Sequence, residues 1–312
     1  MLTDDIVTTL ETKRKGHVSF FYSCAGFAVF CILLLMFMGD KAPIFRGPSI
    51  GLIILLAGVL LFWAYHILEK NYHRRTKVLL MTGLAQKMKL SYSPSKAFDI
   101  NSVLHHGILP PFEFCKTEDG FTTNFRSPFP MEFQEIRLSR KEFDEPQQTT
   151  RIIQFFRGLV IRIHLRQKLE YQTVILPNRF LRPSVDVGNL PAKRGLEPVN
   201  IVSNKFSKSY KLYSGNQVEA RTVFDPAFIE RFMELGDHLN AEWMDASFKG
   251  RELLITLHFK KDFFEIGSLL KPVTEESLGK TIGEVQHILG IADILKHNMY
   301  LGQDAYRKLY EK

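Results

Sequence analysis

The stretch LVIRIHLR at residues 159–166 carries the clearest structural signal in this sequence. Apolar side chains occupy every second position, at Leu159, Ile161, Ile163 and Leu165. Side chains of a β-strand point to opposite faces in turn, so this alternation predicts a strand with one buried face. The polar face would carry Arg162, His164 and Arg166.

Shorter strand patterns lie on both sides of this stretch. They are predicted at residues 112–115, 121–125, 133–138, 173–176, 205–213, 218–224, 243–248 and 253–259. Asp119-Gly120 and Lys249-Gly250 each separate two neighbouring runs, and glycine-containing dipeptides in such positions favour tight turns. We therefore predict two β-hairpins, one about each dipeptide.

Three helices are predicted from capping residues and apolar stripes. A short one is capped by Asp99, and another begins at Pro226 after Asp225. The third covers residues 275–297 and follows Thr274. Its apolar stripe consists of Leu278, Ile282, Val285, Leu289, Ala292 and Leu295. Strands grouped with few helices predict an α+β domain, with a mostly antiparallel sheet and packed amphipathic helices.

Two uncharged apolar runs precede this domain, at residues 18–38 and 50–68. As helices rising about 1.5 Å per residue, each would span about 30 Å, the thickness of a bilayer's hydrocarbon core. They predict two N-terminal transmembrane helices. Buried core helices are the alternative for both runs, but such helices usually carry more polar residues. A cleaved signal peptide is the alternative for the first run, but acidic residues precede it and no small-residue cleavage site follows Met38.

Basic residues flank the two runs unevenly. Those on the outer flanks are Lys13, Arg14, Lys15, Lys70, Arg74, Arg75 and Lys77. The loop between the runs has two, Lys41 and Arg46. Cytoplasmic flanks carry the excess of Lys and Arg, so we expect both termini in the cytoplasm. The expected segments are a cytoplasmic N-terminus (1–17), a transmembrane hairpin (18–68), a juxtamembrane helix (69–90) and a cytoplasmic α+β domain (91–312).

The net charge of +8 does not indicate a nucleic-acid-binding protein. Such proteins gather basic residues in one patch, whereas a good share here flanks the apolar runs. Each basic residue beside anionic headgroups contributes about 1 kcal/mol, so the expected partner is a lipid bilayer. Cys24, Cys31 and Cys115 form neither a disulfide framework nor a metal-ligand spacing.

Seven basic residues are candidate contacts for anionic lipid or for a protein partner. Four follow the second apolar run and three lie on the predicted strand 205–213: Lys70, Arg74, Arg75, Lys77, Lys205, Lys208 and Lys211. A solvated strand face is the alternative for the second group. Residues 177–198 contain four prolines and two glycines and are expected to form a long surface loop whose role the sequence does not reveal.

Motifs of nucleotide binding and nucleophilic catalysis are not fulfilled. Gly279-Lys280-Thr281 is similar to the end of a phosphate-binding loop, but Thr274 stands where that loop needs a glycine. The acidic residues just before it would also repel phosphate. The sequence contains no GxSxG nucleophile elbow and no GxGxxG motif. We therefore interpret this segment as a helix start and predict no catalytic residue and no cofactor.

The histidine pair His105-His106 is the remaining metal candidate. Neighbouring residues on a helix point about 100° apart, so the two rings are expected not to converge on one ion. His164 or His258 would have to join them, and no HExxH or CxxC spacing supports this. We therefore predict surface histidines and no metal site.

Four segments resemble one family of bacterial membrane proteins, known only as domain of unknown function 3137. They are FRGL (156–159), YSGNQVEAR (213–221), FDPAFIER (224–231) and SFKGREL (247–253). The resemblance extends over roughly residues 10–297 and includes the two N-terminal apolar runs. It implies a location in the bacterial inner membrane. It also implies a complex with a LemA-like membrane protein, and it supplies no catalytic residue.

Two functions from different classes are therefore open. The first, which we expect, is a membrane-anchored non-catalytic interaction or scaffold protein that binds a membrane protein, a second copy of itself or lipid headgroups. The second is a membrane-tethered enzyme whose site is formed by dispersed residues. A deep pocket containing convergent titratable groups would favour the enzyme.

Overall fold

The computed structural model describes residues 2–38, 48–123, 130–144, 148–178, 190–201, 203–224, 226–260, 263–264 and 272–297, and all structural statements below concern these residues. The chain divides into two compact units. One comprises Met1–Gly83 with Glu265–Lys280, and the other comprises Leu84–Phe264 with Thr281–Lys312.

Two long helices dominate the first unit. They are α1 (Leu2–Met38) and α2 (Pro48–Lys87), and α2 reaches the start of the second unit. The rings of Phe21 and Tyr65 lie 5.1 Å apart between centroids, so the two helices contact each other side by side. Aromatic pairs at this separation add to the packing of neighbouring helices.

The predicted membrane spans at residues 18–38 and 50–68 fall on α1 and α2. Many of their side chains, at residues 31–32, 34–38, 50–55 and 57, lie outside the described residues. Among the residues that are described, no helix is both long enough and apolar enough to cross a membrane.

The second unit is built on a seven-stranded sheet, which confirms the predicted α+β class with an antiparallel sheet. Its strands are β1 (Leu90–Ser93), β2 (Phe114–Thr123), β3 (Met131–Asp144), β4 (Thr149–Pro177), β5 (Glu197–Val199), β6 (Tyr210–Ser214) and β7 (Trp243–His258). The spatial order is β1-β2-β3-β4-β6-β5, with β7 paired to β4, and every pairing is antiparallel.

Strand β4 is the centre of the sheet and contains the stretch LVIRIHLR. Its first part pairs with β3 and its last five residues pair with β6. The opposite edge pairs with β7 from Gly158 to Ile175. The predicted strand is confirmed. The face that was predicted to be polar is polar only in part. Val160 is fully buried on that face, because other chain segments cover it.

The predicted hairpin about Asp119-Gly120 is wrong, because β2 runs straight through these residues. Asp119 has φ 50°, and the register with β3 shifts between Glu118 and Phe121, so the dipeptide forms a β-bulge. The Tyr92 hydroxyl donates a hydrogen bond to Asp119 Oδ1 at 2.7 Å. A side chain at Gly120 would lie 2.2 Å from the backbone nitrogen of Ala97, so only glycine fits there.

The predicted hairpin about Lys249-Gly250 is wrong for the same physical reason. Gly250 has φ 60°, a backbone conformation that tight turns often use and that glycine adopts at little cost. Strand β7 continues past it and pairs with β4 on both sides, with register shifts near Leu169. These shifts place the extra residues on β4, and Gly250 lies within one continuous strand that does not reverse.

Residues 204–209 and 217–223 are helices α4 (Asn204–Ser209) and α5 (Gln217–Val223), so the strands predicted there are wrong. Ser203 Oγ accepts a hydrogen bond from the Phe206 amide at 3.4 Å, and Asn216 Oδ1 accepts from the Val218 amide at 2.9 Å. These side chains satisfy free amides at the first turn and favour helix over strand. Only residues 210–213 of the first predicted strand belong to one, β6.

The other predicted helices are confirmed. They are a 3₁₀ helix (Ile100–His106), α6 (Pro226–Leu239) and α7 (Glu275–His297), and a short α3 (Leu190–Lys193) lies in the predicted loop 177–198. Residues 179–189 of that loop lie outside the described residues. Ser91 and Ser93, directly after the predicted juxtamembrane helix 69–90, belong to β1. The helix ends earlier, at Lys87.

A hydrophobic core covers one face of the sheet beneath the 3₁₀ helix. Its buried members are Phe98, Ile100, Val103, Ile108, Leu109, Ile136, Leu138, Phe156, Val160, Val174, Leu176, Leu190 and Leu254. Phe98, Ile100 and Val103 anchor the 3₁₀ helix segment to the sheet by burying apolar surface. The segment is thereby held over the strands with its last two residues, His105 and His106, beside the core.

Candidate functional site

A group of polar side chains adjoins this core on the same face of the sheet. We call it the polar cluster, and it consists of His105, His106, Glu132, Arg162, His164 and Glu252. The strand register pairs Glu132 with Arg162 between β3 and β4, and His164 with Glu252 between β4 and β7. Residues two apart on a strand share a face, so Arg162 and His164 lie beside each other on β4.

Arg162 makes several of the contacts that hold the polar cluster together. Its Nε donates to Glu132 Oε2 at 2.7 Å, and a second guanidinium nitrogen donates to the same oxygen. Its Nη1 donates to Ser102 Oγ at 3.0 Å, which ties β4 to the 3₁₀ helix. The guanidinium also lies over the Phe98 ring, 4.5 Å from the centroid. Cation–π and charge-assisted contacts together fix its position.

The carboxyl of Glu132 is held in its charged form. Burial alone would raise its pKa, but hydrogen bonds from His164 and Arg162 outweigh burial and lower the pKa below its usual value. The His164 Nε2 atom lies 3.4 Å from Glu132 Oε2. Glu132 is therefore an anion at neutral pH, and Arg162 compensates its charge.

The two histidines of the 3₁₀ helix converge on Glu252. His105 Nε2 lies 3.3 Å and His106 Nε2 lies 3.4 Å from Glu252 Oε2. The two ring centroids are 4.4 Å apart. The His106 side chain is fully buried, whereas that of His105 is 44% exposed. Gly107, with φ 76°, ends the 3₁₀ helix directly behind them.

The prediction that these rings diverge, and that both are surface histidines, is wrong. The direction of the Cα–Cβ bonds on a helix does not decide where an imidazole ends, because rotation about the side-chain bonds can bring neighbouring rings together. Glu252 supplies the common partner from β7, and nothing in the local spacing reveals it. His164 also lies nearby, with Nδ1 3.9 Å from Glu252 Oε1.

Burial and hydrogen bonding set the charges of this pair. Burial lowers the pKa of His106, so its ring is neutral at neutral pH. The hydrogen bond with His106 lowers the pKa of Glu252, so this carboxyl is charged. The arrangement thus presents an anion beside a neutral imidazole. Such a donor set can hold a proton or a cation.

A cavity of about 830 Å³ lies elsewhere in the second unit. It is lined by parts of α4, α5 and α6: Asn200, Ile201, Ser203, Lys205, Phe206, Arg221, Phe224, Pro226, Ile229, Glu230, Met233 and Glu234. No residue of the polar cluster lines it. This cavity and the convergent titratable groups are therefore at different places.

The seven candidate basic contacts are distributed over both units. Lys70, Arg74, Arg75 and Lys77 lie on α2 in the first unit, where the first three are exposed. In the second unit, Lys205 and Lys208 are exposed on α4 and Lys211 is exposed on β6. Lys205 Nζ lies 3.4 Å from Asp237 Oδ2, so its charge is partly compensated. The prediction that all three lysines lie on one strand is wrong, because residues 204–209 form α4.

Two other candidate groups carry no chemistry in the described residues. Burial raises the pKa of the Cys115 thiol to about 11, so it stays protonated and a weak nucleophile. Gly279-Lys280-Thr281 lies inside α7, and the Ser277 amide donates to Thr274 Oγ1 at 3.1 Å. The interpretation of this segment as a capped helix start is confirmed.

Residues 154–297 match the family described as protein of unknown function (DUF3137), which confirms the predicted family. No curated protein matches the chain. Among solved structures, the crystal structure of the mycobacterial trehalose monomycolate transport factor A, TtfA, is similar with a TM-score of 0.35 and 8% identity. The match covers 68% of this chain and 96% of that chain. A likeness this weak carries no argument about fold or function.

Proposed function

We propose that this chain, whose residues 154–297 match DUF3137, is a membrane-anchored, non-catalytic interaction or scaffold protein of the bacterial inner membrane. The observation that carries the proposal is a series of large apolar side chains exposed on α1 and α2. They are 59–69% exposed and comprise Phe20, Tyr22, Phe27, Phe30, Leu33, Leu60, Phe62 and Trp63.

Exposed apolar surface on this scale needs a non-aqueous partner. Soluble monomers rarely expose contiguous apolar patches above a few hundred Å². The uncharged runs 18–38 and 50–68 are each long enough to cross about 30 Å of hydrocarbon as a helix. A transmembrane hairpin would bury these side chains in lipid tails, and every backbone group would stay hydrogen-bonded within its helix.

The basic residues support a cytoplasmic location for both termini, because the outer flanks of the runs carry more of them than the loop between. Lys70, Arg74, Arg75 and Lys77 then lie where anionic headgroups are within reach, and we assign them to lipid contact. Lys205, Lys208 and Lys211 are assigned to lipid or partner contact, and Asp237 weakens the contribution of Lys205.

The predicted topology has a direct test with alkaline phosphatase, which is active only outside the cytoplasm. A fusion after Lys312 should be inactive, and an insertion in the loop near Pro43 should be active. A β-galactosidase fusion at the same two positions should give the opposite pattern. High phosphatase activity at the C-terminus would refute the topology and the anchoring hairpin with it.

A non-catalytic role is favoured over a tethered enzyme by the arrangement in the second unit. Enzyme sites usually combine a pocket with titratable groups of perturbed pKa. Here the cavity is lined by parts of α4, α5 and α6, whereas His106 and Glu252, whose pKa values are both lowered, belong to the polar cluster. The polar cluster is the feature that keeps the tethered enzyme as the second candidate.

The partner is best identified by affinity purification of the full chain from native membranes. We expect a LemA-like membrane protein, or a second copy of this chain, to co-purify in stoichiometric amount. Substituting Lys205, Lys208 and Lys211 with Gln should lower the recovery if these lysines contact the partner, and leave it unchanged if they contact lipid. A chain that is recovered alone, without cross-linkable copies, would contradict the interaction role.

A further inference from the structure

We propose that His105, His106 and Glu252 bind a divalent transition-metal ion, for which Zn²⁺ is the best fit. Each residue offers one ligand atom, and the three atoms lie within 4.8 Å of one another. Among the described residues this is the one group of three or more His, Cys, Asp and Glu side chains with that property. The inference is independent of the membrane anchor and of the interaction role.

Two of the three separations between ligand atoms match the edge of a tetrahedral zinc site. Zinc binds imidazole nitrogen and carboxylate oxygen at about 2.0–2.2 Å. The edge of a tetrahedron is about 1.6 times that length, so neighbouring ligand atoms lie roughly 3.3–3.6 Å apart. The two Nε2–Oε2 separations here are 3.3 Å for His105 and 3.4 Å for His106. The third separation, between the ligand atoms of His105 and His106, is at most 4.8 Å.

The hydrogen bonds of His105 leave its Nε2 atom as a ligand. Its Nδ1 lies 2.9 Å from the backbone oxygen of Ser102, which can only accept, so Nδ1 carries a hydrogen. In the neutral ring the Nε2 lone pair then points at the Glu252 carboxylate. Two electron pairs facing each other repel unless a cation or a proton lies between them. A metal ion is one of these two solutions, and the experiment below distinguishes them.

The His106 ring is oriented by a second layer of contacts. Its Nδ1 lies 3.1 Å from Ser247 Oγ, which also accepts a hydrogen bond from Gln172 Nε2 at 2.9 Å. Gln172 donates in addition to the backbone oxygen of His106 at 2.7 Å. Metal-binding histidines are typically fixed in this way through the ring nitrogen that does not bind the ion. The buried ring is therefore preorganised with Nε2 toward Glu252.

Positive groups near the cluster set a limit on affinity. Arg162 Nη1 lies 3.9 Å from Glu252 Oε1, and Lys249 Nζ donates to the His105 backbone oxygen at 2.9 Å. Arg162 is compensated by Glu132 and faces the carboxylate oxygen opposite to the histidines. Three protein ligands leave a fourth position, and the exposed side of His105 gives water access to it. We therefore expect a reversible site and not a closed structural one.

The test is isothermal titration of the full chain with ZnCl₂, after removal of metals and without a histidine tag. Wild type should bind one ion, and Glu252→Gln or His105→Gln should each weaken binding at least about tenfold. Glu252→Gln keeps the side-chain shape and removes the anionic ligand. The His105 ring is partly exposed, so the His105→Gln variant should still fold even if the Glu252→Gln variant does not. Circular dichroism checks both.

The control is His238→Gln. His238 and His287 form another histidine pair, stacked at 3.9 Å between ring centroids, and lie outside the proposed site. This variant should bind Zn²⁺ as wild type does, and Co²⁺ should give the intense visible bands of tetrahedral coordination in both. No binding of Zn²⁺ by wild type would overturn the proposal. Equal binding by folded Glu252→Gln and His105→Gln variants would overturn it as well.

Discussion

Substituting Gly158 with alanine is expected to destabilise the second unit, which contains the sheet, by at least about 3 kcal/mol. The new methyl group has no space there. Its Cβ would lie 1.8 Å from the backbone oxygen of Leu257 and 2.9 Å from the carbonyl carbon. Both atoms belong to β7, which cannot move without breaking its pairing to β4. Glycine inside a strand is typical of such a close backbone approach.

The position of Gly158 makes the cost unavoidable. It pairs with Ile136 on β3 and with His258 on β7, so it lies in the middle of three strands. The Phe259 amide donates to the Arg157 oxygen at 2.9 Å directly beside it. A shift of β7 would also displace Leu254 and Leu257, which are fully buried. Relief of the clash therefore costs either hydrogen bonds or core packing.

The measurement is the thermal transition of the chain, followed by circular dichroism in the same detergent for each variant. A unit of this size should lose roughly 6 °C or more in Tm. Gly283→Ala is the matched control, since Gly283 lies within α7 and has no atom within 4 Å of an added Cβ. It should gain about 0.5–1 kcal/mol from helix propensity. Equal melting of Gly158→Ala and wild type would contradict the described approach of β7.

The spacing of apolar residues predicts an element correctly when that spacing fits either a helix or a strand, but not both. The stripe of α6, with Phe228, Ile229, Phe232 and Leu235, recurs every three to four residues and fits only a helix. Phe206 and Tyr210 are four residues apart, which fits a strand of period two and a helix of period 3.6 equally well. The N-cap residue Ser203 favours the helix, and the alternation of apolar residues that predicted a strand does not take a capping residue into account.

Positive φ angles explain the two wrong hairpins. Asp119 and Gly250 adopt φ 50° and 60°, and a residue able to do so serves a tight turn or a β-bulge. Which one forms depends on whether the partner strand continues alongside, and that is a long-range property. The sequence signal was real, and its interpretation required the register of β3 and β4.

The polar cluster could not be predicted from spacing for the same reason. His106 and Glu252 are separated by 146 residues, and His106 and Ser247 by 141. Strand register brings them together, and a shift of one residue on β7 would turn Glu252 to the opposite face. The usable signal in the sequence was the placement of Arg162 and His164 on the polar face of LVIRIHLR, which indicates that this face has polar partners.

Substituting Arg162 with methionine is expected to destabilise the second unit by about 2–4 kcal/mol. Removing one member of a buried ion pair leaves an uncompensated charge, which costs about 3–5 kcal/mol when burial is complete. The side chains of Arg162 and Glu132 are 14% and 12% exposed, so the expected value is somewhat lower. Loss of the contact with Phe98 adds to it.

Two variants separate the charge effect from simple loss of packing. Adding Glu132→Gln to Arg162→Met removes the stranded anion, so the double variant should be more stable than Arg162→Met alone. Arg231→Met is the surface control, because Arg231 and Glu234 are 60% and 38% exposed although they lie 2.8 Å apart. It should change the free energy of unfolding by less than about 1 kcal/mol. A similar cost at both arginines would contradict a special role for Arg162.

Acid provides an independent check on the same pair. Arg162 and His164 lower the pKa of Glu132 below its ordinary value of 4.5, so the native state binds this proton less readily than the unfolded state. The stabilisation is complete above pH 4.5 and is lost as pH falls through the lower native pKa. Urea unfolding of wild type and Arg162→Met should therefore differ most near neutral pH. The difference should shrink in acid, because protonation of Glu132 removes the charge that Arg162 compensates.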